Sequence, residues 1–198
     1  MKSKTAIGAI QNVTLPEGFS LCEDTVGKVA RSHLRRYEST KYKSVEIAFF
    51  YRGNELSSTD TNTLRQYLSQ PNQVLIEIEE TEKPTPKDVE IMQEFYYIIG
   101  TPGNNQISNS EKGIRGPRFH LASLETLMVS GKRCLAVNGW YHGPKEEVHN
   151  YFYGVYFDSK RSQKLCKLEE VYLHAPTSAL FDYYLPDFQE TLKTIVWK

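Results

Sequence analysis

Cysteines are few in this sequence, and their spacing excludes a disulfide framework. The 198 residues contain only Cys22, Cys134 and Cys166, an odd number of widely separated thiols. No C-x-x-C pair is present for zinc or redox chemistry. We therefore expect three reduced thiols that serve mostly as small core residues, and a reducing compartment, the cytoplasm, as the location.

Net charge and long apolar runs are also missing. Lys and Arg together number 24, and so do Asp and Glu, which gives a net charge of zero. A neutral chain lacks the basic footprint of proteins that bind nucleic acids or anionic membranes. The one basic cluster, in "SHLRRYESTKYK", is interrupted by Glu38. No segment approaches the roughly 18 apolar residues of a membrane span. Neither nucleic acid nor a membrane is an expected partner.

Motifs of the common catalytic and nucleotide-binding sites are absent. There is no G-x-S-x-G, P-loop, dinucleotide fingerprint or EF-hand loop. The stretch "NGWYHGPKEEVHNYF" places two glutamates between His142 and His149, but its glycines and proline exclude a continuous helix and the H-E-x-x-H spacing. We predict a strand, a turn and a strand here, with aromatic residues paired across the hairpin. No metal or cofactor is expected.

Local patterns predict a mixture of strands and helices. Period-two alternation indicates strands at "SVEIAFFYR", which would end in a turn at Gly53 and Asn54, and at "QVLIEIEE". Capping residues and apolar spacing indicate a short helix within "STDTNTLRQYLSQP" that stops before Pro71, and a helix at "TPKDVEIMQEFYYIIG" with Thr85 as its cap. The closing segment favours helical pieces that Pro186 interrupts.

The second half predicts an antiparallel meander. Strand signals fall in "FHLASLETLMVSGKRCLAVNGWY", with a turn at Ser130 and Gly131, and then in "NYFYGVYFD" and "KLEEVYLHA". Short connections require antiparallel neighbours. Residues from about 101 to 118 are polar and rich in Gly, Asn and Ser, which indicates a flexible loop. We expect a single domain over residues 1–198.

The order of these elements resembles the PsbP/Mog superfamily. The resemblance rests on "LPEGF" near the start and on the closing series "GKRCLAVNGWYHG", "VHNYFYGVYFD", "LEEVYLHAP" and "FDYYLPDFQETLKTIVW". It implies an α+β fold, an α/β/α sandwich with a central antiparallel sheet flanked by helices. Known members of that superfamily are binding or assembly proteins without catalytic residues. The resemblance carries no individual binding residue over to this chain.

The absence of catalytic motifs favours a non-enzymatic protein-binding module, of accessory, assembly or immunity type. Tyr and Trp are favoured interface anchors because they bury a large area at small entropic cost. The hairpin aromatics and the loop arginines are therefore the candidate binding residues, namely Trp140, Tyr141, His142, Arg115 and Arg118.

A different class of function stays open at this point. An enzyme or a small-ligand-binding protein would assemble its site in space from dispersed histidines, with His120, His142 and His174 as the candidates. Convergence of two of these with an acid in a concave pocket would favour that alternative.

Overall fold

The main element is an eight-stranded antiparallel sheet. The computed structural model describes residues 4–28, 32–79, 82–99, 118–142, 148–159 and 164–198. The sheet is formed by β3 (Phe19–Val26), β4 (His33–Ser39), β5 (Glu46–Glu55), β6 (Gln73–Glu77), β7 (Arg118–Val129), β8 (Lys132–His142), β9 (Val148–Asp158) and β10 (Lys167–Ala175), numbered in chain order. Their spatial order is β3-β4-β5-β10-β9-β8-β7-β6. The predicted meander is the β7–β10 half of this sheet.

Three helices and a second, smaller sheet complete the fold. The helices are α1 (Ser58–Ser69), α2 (Pro86–Ile99) and α3 (Ser178–Lys193). The small sheet consists of β1 (Lys4–Ile7), β2 (Ile10–Thr14) and β11 (Val196–Trp197), in the order β1-β2-β11. It joins the two ends of the described chain, because β11 pairs with β2.

The large sheet separates two apolar cores. Alternate strand residues point to opposite faces. On the α3 face, Phe49, Val155 and Leu173 pack with Phe188 of α3 and with the small sheet. On the α1–α2 face, strand residues pack with helix residues, and the group includes Leu64, Phe95, Ile98, Leu135, Val137, Phe152 and Tyr156. The chain is thus an α+β protein with helices on both faces of an antiparallel sheet.

Helix α1 ends before Pro71 and α2 begins after its cap Thr85, both as predicted. Thr85 Oγ1 accepts from the Asp88 N–H at 3.2 Å, and the Asp88 carboxylate accepts from the Thr85 N–H at 2.8 Å, a reciprocal cap.

The spacing of apolar residues predicts a buried stripe of Val89, Met92, Tyr96 and Ile99 on α2. The structure differs, since Val89 is exposed while Ile91, Phe95 and Ile98 are buried. The wide apolar face of this segment allows either stripe, and the packed core selects one.

Two predicted interruptions are wrong. Pro186 lies inside α3, which continues from Ser178 to Lys193, because Phe181, Tyr184 and Phe188 are buried on both sides of the proline. Strand β5 passes through Gly53 and ends at Glu55, since a glycine accommodates the positive φ of 80° without steric strain. The predicted hairpin turn at Ser130 and Gly131 is confirmed, with φ values of 46° and 83°.

The two arginines of the basic cluster lie on a strand and are neutralised there. Arg35 and Arg36 belong to β4, which pairs with β3 on one side and β5 on the other. Arg35 contacts Asp24 at 2.7 Å, and Arg36 contacts Glu23 at 2.7 Å and also Glu46. Cross-strand ion pairs hold this polar edge of the sheet, which apolar alternation did not reveal.

The long polar segment is only partly within the described residues. Of the predicted loop at 101–118, Arg118 begins β7, and the remainder lies outside the described residues. Among the helices of the described ranges, none combines the length and the apolar character that crossing a membrane requires.

Candidate functional site

The aromatic residues predicted as binding anchors belong to the core. Trp140 is only 8% exposed and Tyr141 only 9%. They lie on opposite faces of β8: Trp140 stacks on His120 on the α3 face with ring centroids 4.3 Å apart, and Tyr141 joins the core of the α1–α2 face. Both faces of the sheet are covered at this strand, so neither ring is exposed as an interface anchor would be.

The structure describes only part of the other predicted binding residues. Arg118 and His142 face each other in the register of β7 and β8, at one end of that strand pair. The backbones of both residues belong to the sheet. Their side chains are not among the described parts of the structure. Arg115 falls outside the described residues altogether, so binding by these three residues stays a prediction.

The histidines proposed for an assembled catalytic site do not all face one way. His120 stacks on Trp140 on the α3 face, whereas His174 contacts Tyr141 edge-on at 6.2 Å on the α1–α2 face. The sheet therefore separates these two imidazoles. Within the described ranges, no group of three His, Cys, Asp or Glu side chains is placed to hold a metal ion.

A buried polar cluster lies on the α1–α2 face. The Arg52 guanidinium contacts the Glu170 carboxylate at 3.3 Å and donates to the Ile98 carbonyl at 3.4 Å, which ties the end of α2 to the sheet. Glu170 is 3% exposed. Tyr156 is fully buried beside this pair, with the Arg52 guanidinium 5.8 Å from the centre of its ring. The ion pair fixes α2 in place and neutralises its own charges.

The hydroxyls of Tyr141 and Tyr156 and the thiol of Cys166, on this face, are poor nucleophiles and bases. Burial, reinforced by the nearby Glu170 carboxylate, raises the pKa of the Tyr141 and Tyr156 hydroxyls above the ordinary value. Burial and a hydrogen bond to Asp158 raise the pKa of Cys166 to about 12. Near neutral pH these groups stay protonated, whereas general bases and thiolate nucleophiles need a pKa close to the working pH.

A polar groove lies between α1 and α2, and its tyrosine hydroxyl also stays protonated near neutral pH. It has a volume of about 750 Å³ and is lined by hydroxyl, amide and carboxyl groups that include Asp60, Tyr67 and Glu94. The Tyr67 hydroxyl donates to Glu94 at 2.7 Å, and burial together with this bond raises the pKa of Tyr67 to about 12. The Tyr67 hydroxyl is therefore not activated as a nucleophile or a general base.

Among the residues that the structure describes, the most exposed aromatic surface lies at a different place, where the β4–β5 turn meets α3. We call Lys41, Tyr42 and Tyr183 the tyrosine–lysine surface. Tyr183 is 63% exposed and Tyr42 is 38% exposed. The Lys41 ammonium lies 5.2 Å from the centre of the Tyr42 ring and 6.0 Å from that of Tyr183. Two tyrosine rings thus hold one cation at the protein surface.

Hydrogen bonds and ring contacts below this surface keep it rigid. Tyr184 is buried, shares a 2.8 Å hydrogen bond with Ser39 Oγ and makes edge contacts with both exposed tyrosines, at 6.4 Å and 5.0 Å. Ser39 Oγ also accepts from the N–H groups of Lys41 and Tyr42, at 3.3 Å and 3.2 Å. The surface is therefore ordered before any partner binds.

One signal in the sequence could have identified part of this surface. In "FDYYLPDF", Phe181, Tyr184 and Phe188 follow the helical spacing of a buried stripe, and Tyr183 falls outside it. The expected break at Pro186 concealed that spacing. Lys41 belongs to the basic cluster, but only the fold brings it next to Tyr183.

Comparison with known proteins adds no further constraint. No model of a protein family matches the chain, and no curated protein is similar to it in sequence. The function is therefore inferred from the geometry of the described residues.

Proposed function

We propose that this chain is a non-enzymatic protein-binding module, of accessory, assembly or immunity type, and that it binds its partner through the tyrosine–lysine surface. One observation carries the proposal: two exposed tyrosine rings lie around a lysine, although neither ring is needed to fill the core. Tyrosines of this kind are typical interface anchors, because an ordered ring loses little entropy when a partner covers it.

The chemistry of the buried groups supports a binding role over catalysis. The thiols of Cys134 and Cys166 and the hydroxyls of the core tyrosines are held in their protonated forms by burial. His120 and His174 lie on opposite faces of the sheet, which removes one of the pairings that an assembled site would use.

The same proposal includes a PsbP/Mog-like fold and a cytoplasmic location. The first is supported by helices on both faces of an antiparallel sheet and by the long helix close to the C-terminal end of the chain. The second is supported by the free thiols, of which Cys134 and Cys166 are buried and Cys22 is exposed.

Affinity capture with matched variants tests the binding role. The wild-type chain, Tyr183→Ala and Met128→Ala are used as baits in a lysate of the source organism. Met128 is a suitable control because it is 50% exposed on β7 and points away from the α3 face, to which its neighbours Leu127 and Val129 belong.

We expect one protein at a fixed ratio on the wild-type and Met128→Ala baits, and about tenfold less on Tyr183→Ala, the loss typical of an interface anchor. Equal recovery on all three baits would place the interface elsewhere. Recovery of the bait alone at physiological salt would contradict the binding role.

A further inference from the structure

The tyrosine–lysine surface presents an ammonium group that is not paired with a carboxylate of the described residues. Among the described residues, neither Lys41 nor Lys43 forms an ion pair with a carboxylate, whereas the neighbouring Arg35 and Arg36 of β4 both do. Lys41 is steered only by the faces of Tyr42 and Tyr183. The cation is therefore positioned and still available to an anion.

Two carboxylates beside the tyrosine–lysine surface disfavour a ligand that carries many negative charges. Asp182 directly precedes Tyr183, and Asp187 follows it by four residues, which places Asp187 beside Tyr183 one turn further along α3. A long acidic tract would be repelled by these aspartates. One acidic side chain above Lys41 avoids that repulsion, and an apolar neighbour would complement the exposed Tyr183 ring.

We propose that the tyrosine–lysine surface binds a segment of another protein that places one Asp or Glu carboxylate on the Lys41 ammonium and an adjacent apolar side chain on the Tyr183 ring. This inference rests on the proposed function, which it extends from protein binding to the chemistry of the bound segment. The contact is charge-assisted at Lys41 and apolar at the tyrosines.

Two blocked pentapeptides serve as probes. One is Ala-Leu-Asp-Phe-Ala, and the other carries Asn in place of Asp, so that they differ in a single charge. Binding to the full chain is followed by amide NMR shifts. We expect the Asp peptide to shift signals of residues 39–45 and 179–187 and to bind about fivefold more tightly than the Asn peptide, as an exposed ion pair would give.

Matched lysine variants assign the effect to one ammonium. Lys41→Gln should bind the two peptides equally. Lys132→Gln should keep the difference, although Lys132 also lies over an aromatic ring, at 4.2 Å from that of Trp197. Equal binding of the peptides to the wild-type chain, shifts at other residues only, or no shifts at all would overturn the inference.

The two proposals fail in distinguishable ways. If Tyr183→Ala loses a captured protein but the peptides do not differ, the carboxylate inference is wrong and the binding role stands. If capture does not depend on Tyr183, the partner binds elsewhere. Both the proposed binding surface and the carboxylate inference are then wrong.

Discussion

Two aromatic groups of this protein have similar compositions and opposite environments. Trp140 and Tyr141 are adjacent residues of β8 and are 8% and 9% exposed, whereas Tyr42 and Tyr183 are far apart in sequence and are 38% and 63% exposed. The first pair lies on a central strand with a packed layer on each face. The second lies on a turn and on the outer side of a helix, where no described layer covers it. Whether another layer of the fold packs over the rings, and not the number of aromatic residues, therefore decides which group can contact a partner.

The largest effect should come from truncating the buried group. Trp140→Ala removes the ring that stacks on His120 and contacts Tyr151, and it leaves a cavity beneath α3. We expect the free energy of unfolding in urea to fall by about 3–5 kcal/mol. Trp140→Phe is the control and should lose less, because it keeps an aromatic ring in the same space. A loss below about 0.5 kcal/mol for Trp140→Ala would show that this side chain is not core.

Much of the fold followed from local signals in the sequence. Alternation identified β5, β6 and the meander from β7 to β10, and capping residues identified the start of α2. These segments have strong periodicity and end at turn or cap residues, so local rules suffice. The α+β class with a large antiparallel sheet is confirmed.

Other parts were beyond local rules because distant residues decide them. In α3, buried residues on both sides of Pro186 outweigh the hydrogen bond that the proline removes. Strands β3 and β4 are joined by the contacts of Glu23 and Asp24 with Arg36 and Arg35, and their sequences show little apolar alternation.

The binding surface was the hardest part to predict. Alternation correctly placed Trp140 and Tyr141 on opposite faces, but it does not say whether a face is covered. Coverage depends on where α3 and the pair α1 and α2 pack. The nearness of Lys41 to Tyr183 likewise depends on the docking of α3 against the β4–β5 turn.

A smaller effect should appear as pH dependence of the buried group. Burial lowers the pKa of His174, which contacts Tyr141; Glu46 opposes this shift and Arg36 adds to it. The folded protein then binds fewer protons than the unfolded chain below the ordinary histidine pKa of about 6.5. Stability should therefore fall as the pH decreases from about 6.5 toward the folded-state pKa, by at most about 1.4 kcal/mol per unit for this group.

Urea unfolding of the wild-type chain and His174→Gln between about pH 5 and 7.5 measures this contribution. The difference in stability between the two proteins should shift in favour of the variant on acidification, since glutamine takes up no proton. A constant difference across the range would mean that His174 has the same pKa in the folded and unfolded chains.

The smallest effect on stability should come from the exposed group. Tyr183→Ala removes a ring that covers little of the core and makes one edge contact with Tyr184 and a distant cation–π contact with Lys41. We expect its free energy of unfolding to lie within about 0.5 kcal/mol of the wild-type value, as for most surface substitutions. If this variant unfolds as easily as Trp140→Ala, Tyr183 supports the fold and the contrast between the two groups disappears. If it keeps wild-type stability and also loses the captured partner, the exposed ring is retained for recognition, because folding alone would not require it.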